Sequence, residues 1–374
     1  MAPRTTPPFR ADHVGSLLRP PALHRAREAA AAGRIDADAL RAVEDDAIRE
    51  AVHMQREVGL QAVTDGEFRR ATWHLDFIYA LDGISTADDK VKISFHNEQG
   101  DIEFMAAALH VDGRVGVSET IFGDAFSFLQ ECADGAVPKL TIPSPSALLG
   151  RPLLPPIDAS VYPDREELYA DLGAAYRVAV RAFAAAGCRY LQLDEVFIAM
   201  LCDIQYRDKM IARGDDPAAL LPLYAQLINP AIAEAPPDMT ITLHLCRGNF
   251  KSTYMGAGGY EAVEDVLFNE LDVDGYFMEY DDERSGGFEP LRLLPKGKRV
   301  ALGLVTTKRG KLESKDDLKR RIDAAAKFTD VDRLCLAPQC GFASTEEGNV
   351  LTEAEQWAKL ALIVEVAEKI WGSA

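Results

Sequence analysis

Apolar positions in this chain change period repeatedly. Short β-branched or apolar runs alternate with longer stretches in which apolar residues recur every three or four positions. Eight of the short runs read as strands: 11–16, 61–67, 139–144, 190–195, 240–246, 275–279, 299–305 and 333–338. Helical spacing fills 37–58, the stretch from Glu166 to Ala186, and 353–371. Strands alternating with helices favour a parallel sheet, and eight of them predict a single (β/α)8 TIM barrel over residues 1–374. The competing open doubly wound sheet would carry a Gly-x-Gly-x-x-Gly turn after its first strand, and none follows residues 11–16. One stretch departs from the rhythm. Residues 91–118 alternate with period two, which predicts a β-hairpin-like insertion after strand two, at about 85–125, acting as a lid or rim.

The polar residues within the strand runs are in phase. Ser16, Glu67, Ser144, Asp194, His244, Cys246, Glu279 and Cys340 all fall at the carboxyl end of a run or just beyond it. In a (β/α)8 barrel that end carries the active site, because the βα loops open there. Residues hundreds of positions apart would therefore converge.

Composition narrows the setting. Hydrophobic residues make up 48% and charged residues 27% of the 374, enough for a sizeable core. No apolar run approaches the ~20 residues that span a bilayer, and the chain start lacks the apolar stretch of a signal peptide, so a cytoplasmic location is expected. A formal net charge of −18 argues against nucleic acid and anionic membranes as partners. Six cysteines in so long a chain make no disulfide framework, and Cys132, Cys188, Cys202 and Cys335 read as buried or incidental.

His244 and Cys246 carry the most chemical information. Separated by one residue on a strand, they project to the same side. An imidazole beside a thiolate suits zinc. Glu279 and Cys340, at the ends of later strands, complete a four-ligand set in which the carboxylate is the most easily displaced member. Singly, a buried histidine or cysteine is ordinarily structural; it is the combination at successive strand ends that favours a metal. Zinc with two thiolates is electron-rich and lowers the pKa of an incoming thiol from about 8.5, which points to thiol alkylation rather than hydrolysis.

Around that centre, Glu67 and Asp194 are placed to bind an ammonium group, and Gly15 with Ser16 offers backbone N–H groups to a carboxylate. Asp194 and Glu195 have a plainer role available, capping the next helix. Arg19, Arg69 and Arg70 are candidates for an anionic group on a second substrate, although an isolated arginine is commonly a solvated charge. Trp73 and His74 are placed to line the cavity mouth; Trp73 is equally suited to packing under the insertion.

These residues resemble the catalytic domain of cobalamin-independent methionine synthase, and in particular its short single-domain relatives. The likeness runs over nearly the whole chain, through Phe9 to Pro20, Asp65-Gly66-Glu67, Leu193-Asp194-Glu195, His244-x-Cys246, Met278-Glu279-Tyr280 and Ala337 to Gly341. It implies zinc on His244, Cys246, Glu279 and Cys340, the homocysteine carboxylate at Gly15 and Ser16, and its amine at Glu67 and Asp194. Two departures stand out. The amino-terminal barrel of the full-length synthases has no counterpart here, and Lys308 occupies the place of a histidine proposed to deliver a proton to the departing folate.

The expected activity is therefore a zinc-dependent thiol methyltransferase converting homocysteine to methionine with a methyltetrahydrofolate-type donor, with Asp194 and Lys308 as catalytic residues. Two alternatives remain beside it: an epoxyalkane transferase using coenzyme M, and a non-catalytic zinc protein that binds a thiol amino acid. The expected partners are small molecules, and the sequence is compatible with a homo-oligomer.

Overall fold

The computed structural model describes residues 4–97, 100–149, 157–212 and 214–374. Numbered along the chain, the strands are β1 Ala62–Val63, β2 Asp82–Asn97, β3 Gly100–Gly116, β4 Val137–Pro138, β5 Leu140–Pro143, β6 Tyr190–Asp194, β7 Thr240–Leu245, β8 Gly275–Glu279, β9 Arg299–Val305 and β10 Leu334–Pro338. From β5 to β10 they pair in sequence order as one parallel sheet. Parallel neighbours need a crossover, and helices Arg165–Ala185, Pro217–Ile232, Glu264–Asn269 and Lys315–Ala325 supply most of them. Every residue of β5, β6, β8 and β10 is buried. Their continuous apolar character thus reflects a sheet covered on both faces.

The remaining two barrel segments are short. β1 pairs with β4 in parallel, and Lys139 N–H reaches Val63 O at 2.8 Å. The first segment meets the last through a parallel bridge of Ala11 to Leu336, while Leu17 N–H donates to Gly66 O at 3.1 Å. Near the carboxyl ends of the first and second segments the backbone turns out of the extended region, at φ 143° for Gly15 and 66° for Gly66. All eight expected segments are present in the expected order, and the first touches both the second and the eighth. This is the (β/α)8 arrangement.

Helix ends are set by local chemistry. Asp36 caps helix Ala37–Glu57, accepting from Ala39 N–H at 2.9 Å, and Ile48, Ala51, Val52 and Gln55 form its buried stripe. The terminal helix Glu353–Trp371 opens with a Thr352–Glu355 capping box and stops at Gly372, φ 80°. Helix Pro217–Ile232, with Pro222 and Pro230 inside it, is not among the helical stretches read from the sequence; proline ordinarily marks a break, but here the burial of Tyr224, Leu227, Ile228 and Ala231 sustains the helix.

The insertion is an antiparallel hairpin of β2 and β3, with Ile93 opposite Phe104 and Phe95 opposite Ile102. Residues 98 and 99 lie outside the described set. The remainder of the expected 85–125 span differs, since a helix begins at Gly123. The hairpin is fastened to the loop after β7 by a two-way backbone bridge between His96 and Tyr254, at 2.6 and 2.9 Å. Among the described residues no helix is long and apolar enough to cross a membrane.

Candidate active site

Carboxyl ends of the barrel segments meet in a cavity of about 890 Å³, counted with its open mouth, and the hairpin closes over it. Ser16, Glu67, Asp194, His244, Cys246 and Cys340 all line it. So does Trp73, stacked on His74 with ring centroids 4.3 Å apart. Ile93, Phe95 and Phe104 of the hairpin face them, and both phenylalanines pack on Phe250, at 5.3 and 5.2 Å.

At the cavity floor the ligand atoms of His244, Cys246 and Cys340 lie within 4.8 Å of one another, all three residues buried. His244 lies in β7 and Cys246 directly follows the strand's end at Leu245, two residues on, so the extended period directs both to one side. β10 ends at Pro338, and the following turn brings Cys340 across to them. Gly341 makes that approach feasible, because a Cβ there would sit 1.9 Å from Ser16 Oγ. His244 donates Nδ1–H to Asp194 Oδ1 at 2.9 Å, since a carboxylate can only accept. Gln192 Nε2 holds the same oxygen at 2.7 Å. This fixes the ring and leaves buried Nε2 without a hydrogen-bond partner, the arrangement of a metal-binding histidine oriented by an outer carboxylate. Burial opposes a charge on His244, yet the Asp194 carboxylate and the neighbouring Cys340 sulfur raise it to about 10. Cys340 is held well below a normal thiol, against burial, because the Cys246 thiol and the His244 imidazole beside it favour its thiolate. A soft N,S,S set with an orphaned imidazole nitrogen fits zinc.

Glu279, the fourth expected ligand, is also fully buried but is not part of that cluster. Its Oε1 accepts from Arg284 Nη2 at 2.6 Å and Lys308 Nζ at 3.3 Å, and Oε2 from Arg247 N–H at 2.6 Å. Burial resists its charge, but Lys308, Arg284 and Arg247 hold its carboxyl far below the usual carboxylate range.

Glu67 adopts the left-handed conformation at φ 61°, a strained choice for a non-glycine residue that is typical of functional sites. Its backbone N–H is held by Asp65 Oδ1 at 2.8 Å, and its Oε1 accepts from Thr141 Oγ1 at 2.7 Å. Oε2 is buried with no hydrogen-bond partner. Burial pushes this carboxyl up to about 7, with Arg70 opposing and Asp194 adding to the rise. Gly15 stands behind the wall, where Thr141 Cγ2 would meet a Cβ at 2.7 Å. Asn249, which sequence reasoning did not single out, lines the same cavity. Its Nδ2 donates to Gly341 O at 2.8 Å, and its Oδ1 is buried without a hydrogen-bond partner.

Several expected residues point elsewhere. Arg19 is buried and donates to the carbonyls of Ala343, Glu67 and Arg70 at 2.7, 2.9 and 3.2 Å, so it ties three loops together. Arg69 is paired with Glu44 and Asp45, and Arg70 with Thr141 and Glu67. None of the three lines the cavity; each satisfies local carbonyl or carboxylate groups before it can reach a ligand. Lys308 does not line it either. It is paired with Glu279 and Asp281, and those charges raise it above an ordinary lysine although burial opposes them. Glu195 takes the capping role, accepting from Phe197 and Ile198 N–H at 2.7 and 2.9 Å. Asp194 does not.

The family model for the cobalamin-independent synthase catalytic domain matches residues 156–369. The chain belongs to the cobalamin-independent methionine synthase family. The similarity to known proteins runs over nearly the whole chain. The chain is 47% identical to YxjH of Bacillus subtilis over 366 residues, 97% of this chain and 95% of that one. A solved structure from Listeria monocytogenes, provisionally described as a vitamin-B12 independent methionine synthase, is 36% identical with a TM-score of 0.78, covering 99% and 100% of the two chains. A B12-independent methionine synthase from Shewanella sp. W3-18-1, solved with selenomethionine, has the same fold at 20% identity and TM-score 0.72, covering 96% and 97%.

Proposed function

We propose that the protein is a zinc-dependent methyltransferase that moves a methyl group from a methyltetrahydrofolate-type donor to the sulfur of homocysteine, giving methionine. The observation that carries this reading is the buried His244, Cys246 and Cys340 cluster, opening into the same cavity as the unpartnered Glu67 oxygen. His244, Cys246 and Cys340 would hold the ion, with Glu279 as the exchangeable fourth ligand. Zinc there would lower the pKa of a substrate thiol, so that a thiolate is available at neutral pH.

The chain's own residues do the rest. Glu67 Oε2 and Asp194 receive the substrate ammonium, and the Gly15–Ser16 backbone its carboxylate. Asp194 also keeps His244 in the Nδ1–H tautomer. Trp73, Phe95, Phe104 and Phe250 give the cavity an apolar aromatic wall suited to a flat heterocycle, and the hairpin excludes water from the transferring carbon. The coenzyme M alternative asks for a cation to meet a sulfonate. Arg19, Arg69 and Arg70 are committed elsewhere, and an amino acid better suits an orphaned carboxylate.

Cys340→Ala should remove zinc retention and methyl transfer together, read as metal content and methionine formed from homocysteine. A variant with full turnover would end this reading. Turnover with coenzyme M but not homocysteine would select the alkyltransferase instead, and saturable homocysteine binding with no product under any donor would select a binding protein.

A further inference from the structure

Glu279 belongs to a second constellation besides the metal cluster. Arg284 Nη2 and Lys308 Nζ grip its Oε1 at 2.6 and 3.3 Å. Lys308 is shared with Asp281 Oδ2 at 3.4 Å. The four side chains are between 0% and 9% exposed, so this is a buried group of two cations and two carboxylates. In so enclosed a place each charge needs a partner in whichever arrangement is populated.

One atom is out of balance. Asp281 Oδ1 is buried with no hydrogen-bond partner, and it sits 3.6 Å from Arg284 Nη2, too long for a hydrogen bond. If Glu279 left, Arg284 would find a substitute acceptor one short movement away, and Lys308 would keep Asp281. Asp282 Oδ2 already lies 3.5 Å from Arg284 Nη2. Without Glu279 each cation therefore still has a carboxylate, Lys308 with Asp281 and Arg284 with Asp281 and Asp282, and the cluster can be satisfied with or without Glu279. Glu279 Oε2 is also held by the backbone N–H of Arg247, the residue next to Cys246, which keeps its carboxylate beside the metal-binding turn.

We propose that Arg284 and Lys308 are positioning residues that form a resting place for the Glu279 carboxylate, with Asp281 as its stand-in. The competition between this place and the metal sets how readily the fourth coordination position opens to the substrate thiol. The inference rests on the reading that His244, Cys246 and Cys340 bind zinc. It gives Lys308 a different task from proton delivery: it steers a carboxylate.

The test is zinc affinity by chelator competition in the thiol-free protein, together with homocysteine affinity of the zinc-loaded protein. The pair Arg284→Gln with Lys308→Met removes the resting place. It should tighten zinc at least fivefold and weaken homocysteine at least tenfold, and both changes should vanish when Glu279→Gln is added. Arg284→Lys should restore most of the original behaviour. Asp281→Asn removes the stand-in, and should move both affinities in the opposite direction while the fold is retained. Unchanged zinc and homocysteine affinities in the double variant, or changes that persist in the Glu279→Gln background, would overturn the proposal. Failure of the underlying reading looks different: Cys340→Ala would then bind zinc as well as the native protein.

Discussion

Glu67 joins a conformational cost to an electrostatic one. Its backbone is left-handed, one carboxylate oxygen is buried without a hydrogen-bond partner, and burial pushes its pKa up to about 7 from an ordinary 4.5. The folded chain therefore binds a proton that the unfolded chain has released between those values. The stability linked to that proton is complete below about pH 4.5 and is lost as pH rises through about 7. Glu67→Gln should consequently stabilise the ligand-free protein by roughly 1–3 kcal/mol at pH 8 and by little at pH 5. It should also weaken homocysteine at least tenfold. Thermal melts at the two pH values and calorimetry with homocysteine check both halves; a variant that loses stability at pH 8 would contradict the ammonium site. At this scale the sequence was informative where spacing carries direction. His244 and Cys246 had to share a face, and Asp194, Glu67 and Ser16 had to share an end of the barrel. It was misleading where direction depends on distant carbonyls. Nothing near Arg19 announces that Ala343 and Arg70 will occupy its guanidinium. Asn249 escaped notice because an asparagine in a glycine-containing turn is ordinarily only turn chemistry.

The hairpin and the helices show the same contrast between elements. Period-two alternation identified β2 and β3 because one side of the hairpin is packed, with Phe95 and Phe104 on Phe250. The bridge from His96 to Tyr254 was not readable, since backbone pairing leaves no mark in side-chain pattern. As a cover, the hairpin should govern the donor more than the metal. Phe104→Ala should cost about 2 kcal/mol, less than a fully buried phenylalanine would. It should raise the donor KM at least tenfold while zinc content stays at the native value. An unchanged KM with normal zinc would show that the hairpin does not cover the donor. Helix Pro217–Ile232 went unread because two prolines mask a stripe that tertiary packing then enforces.

Across the whole molecule, the barrel is closed by charge as well as by hydrogen-bonded strands. Lys139, before β5, is fully buried at 3.4 Å from Asp12 Oδ1 of the first segment, and its Nζ lies 3.9 Å from the centre of the Phe277 ring of β8. Tyr190 of β6 donates to Asp12 Oδ2 at 2.9 Å. One ion pair thus ties four barrel segments together, including the first, which pairs with β10 through the bridge of Ala11 to Leu336. Lys139→Met should destabilise the fold by about 3–5 kcal/mol, by stranding a buried carboxylate. Adding Asp12→Asn should recover part of that loss, and activity per folded molecule should be retained, as measured by denaturant unfolding beside turnover. The eight-segment order was legible because parallel strands buried on both faces leave continuous apolar runs. The pair that seals it was not, because a lysine within a strand run reads as exposed until the fold encloses it.

The most direct test of the central claim is zinc-edge X-ray absorption on the zinc-loaded protein with and without homocysteine. The site built from His244, Cys246 and Cys340 predicts two sulfur neighbours and a nitrogen, with a third sulfur appearing when homocysteine is added. Zinc without sulfur neighbours would contradict the assigned ligands. Two sulfurs that stay two with homocysteine present would contradict the thiol substrate.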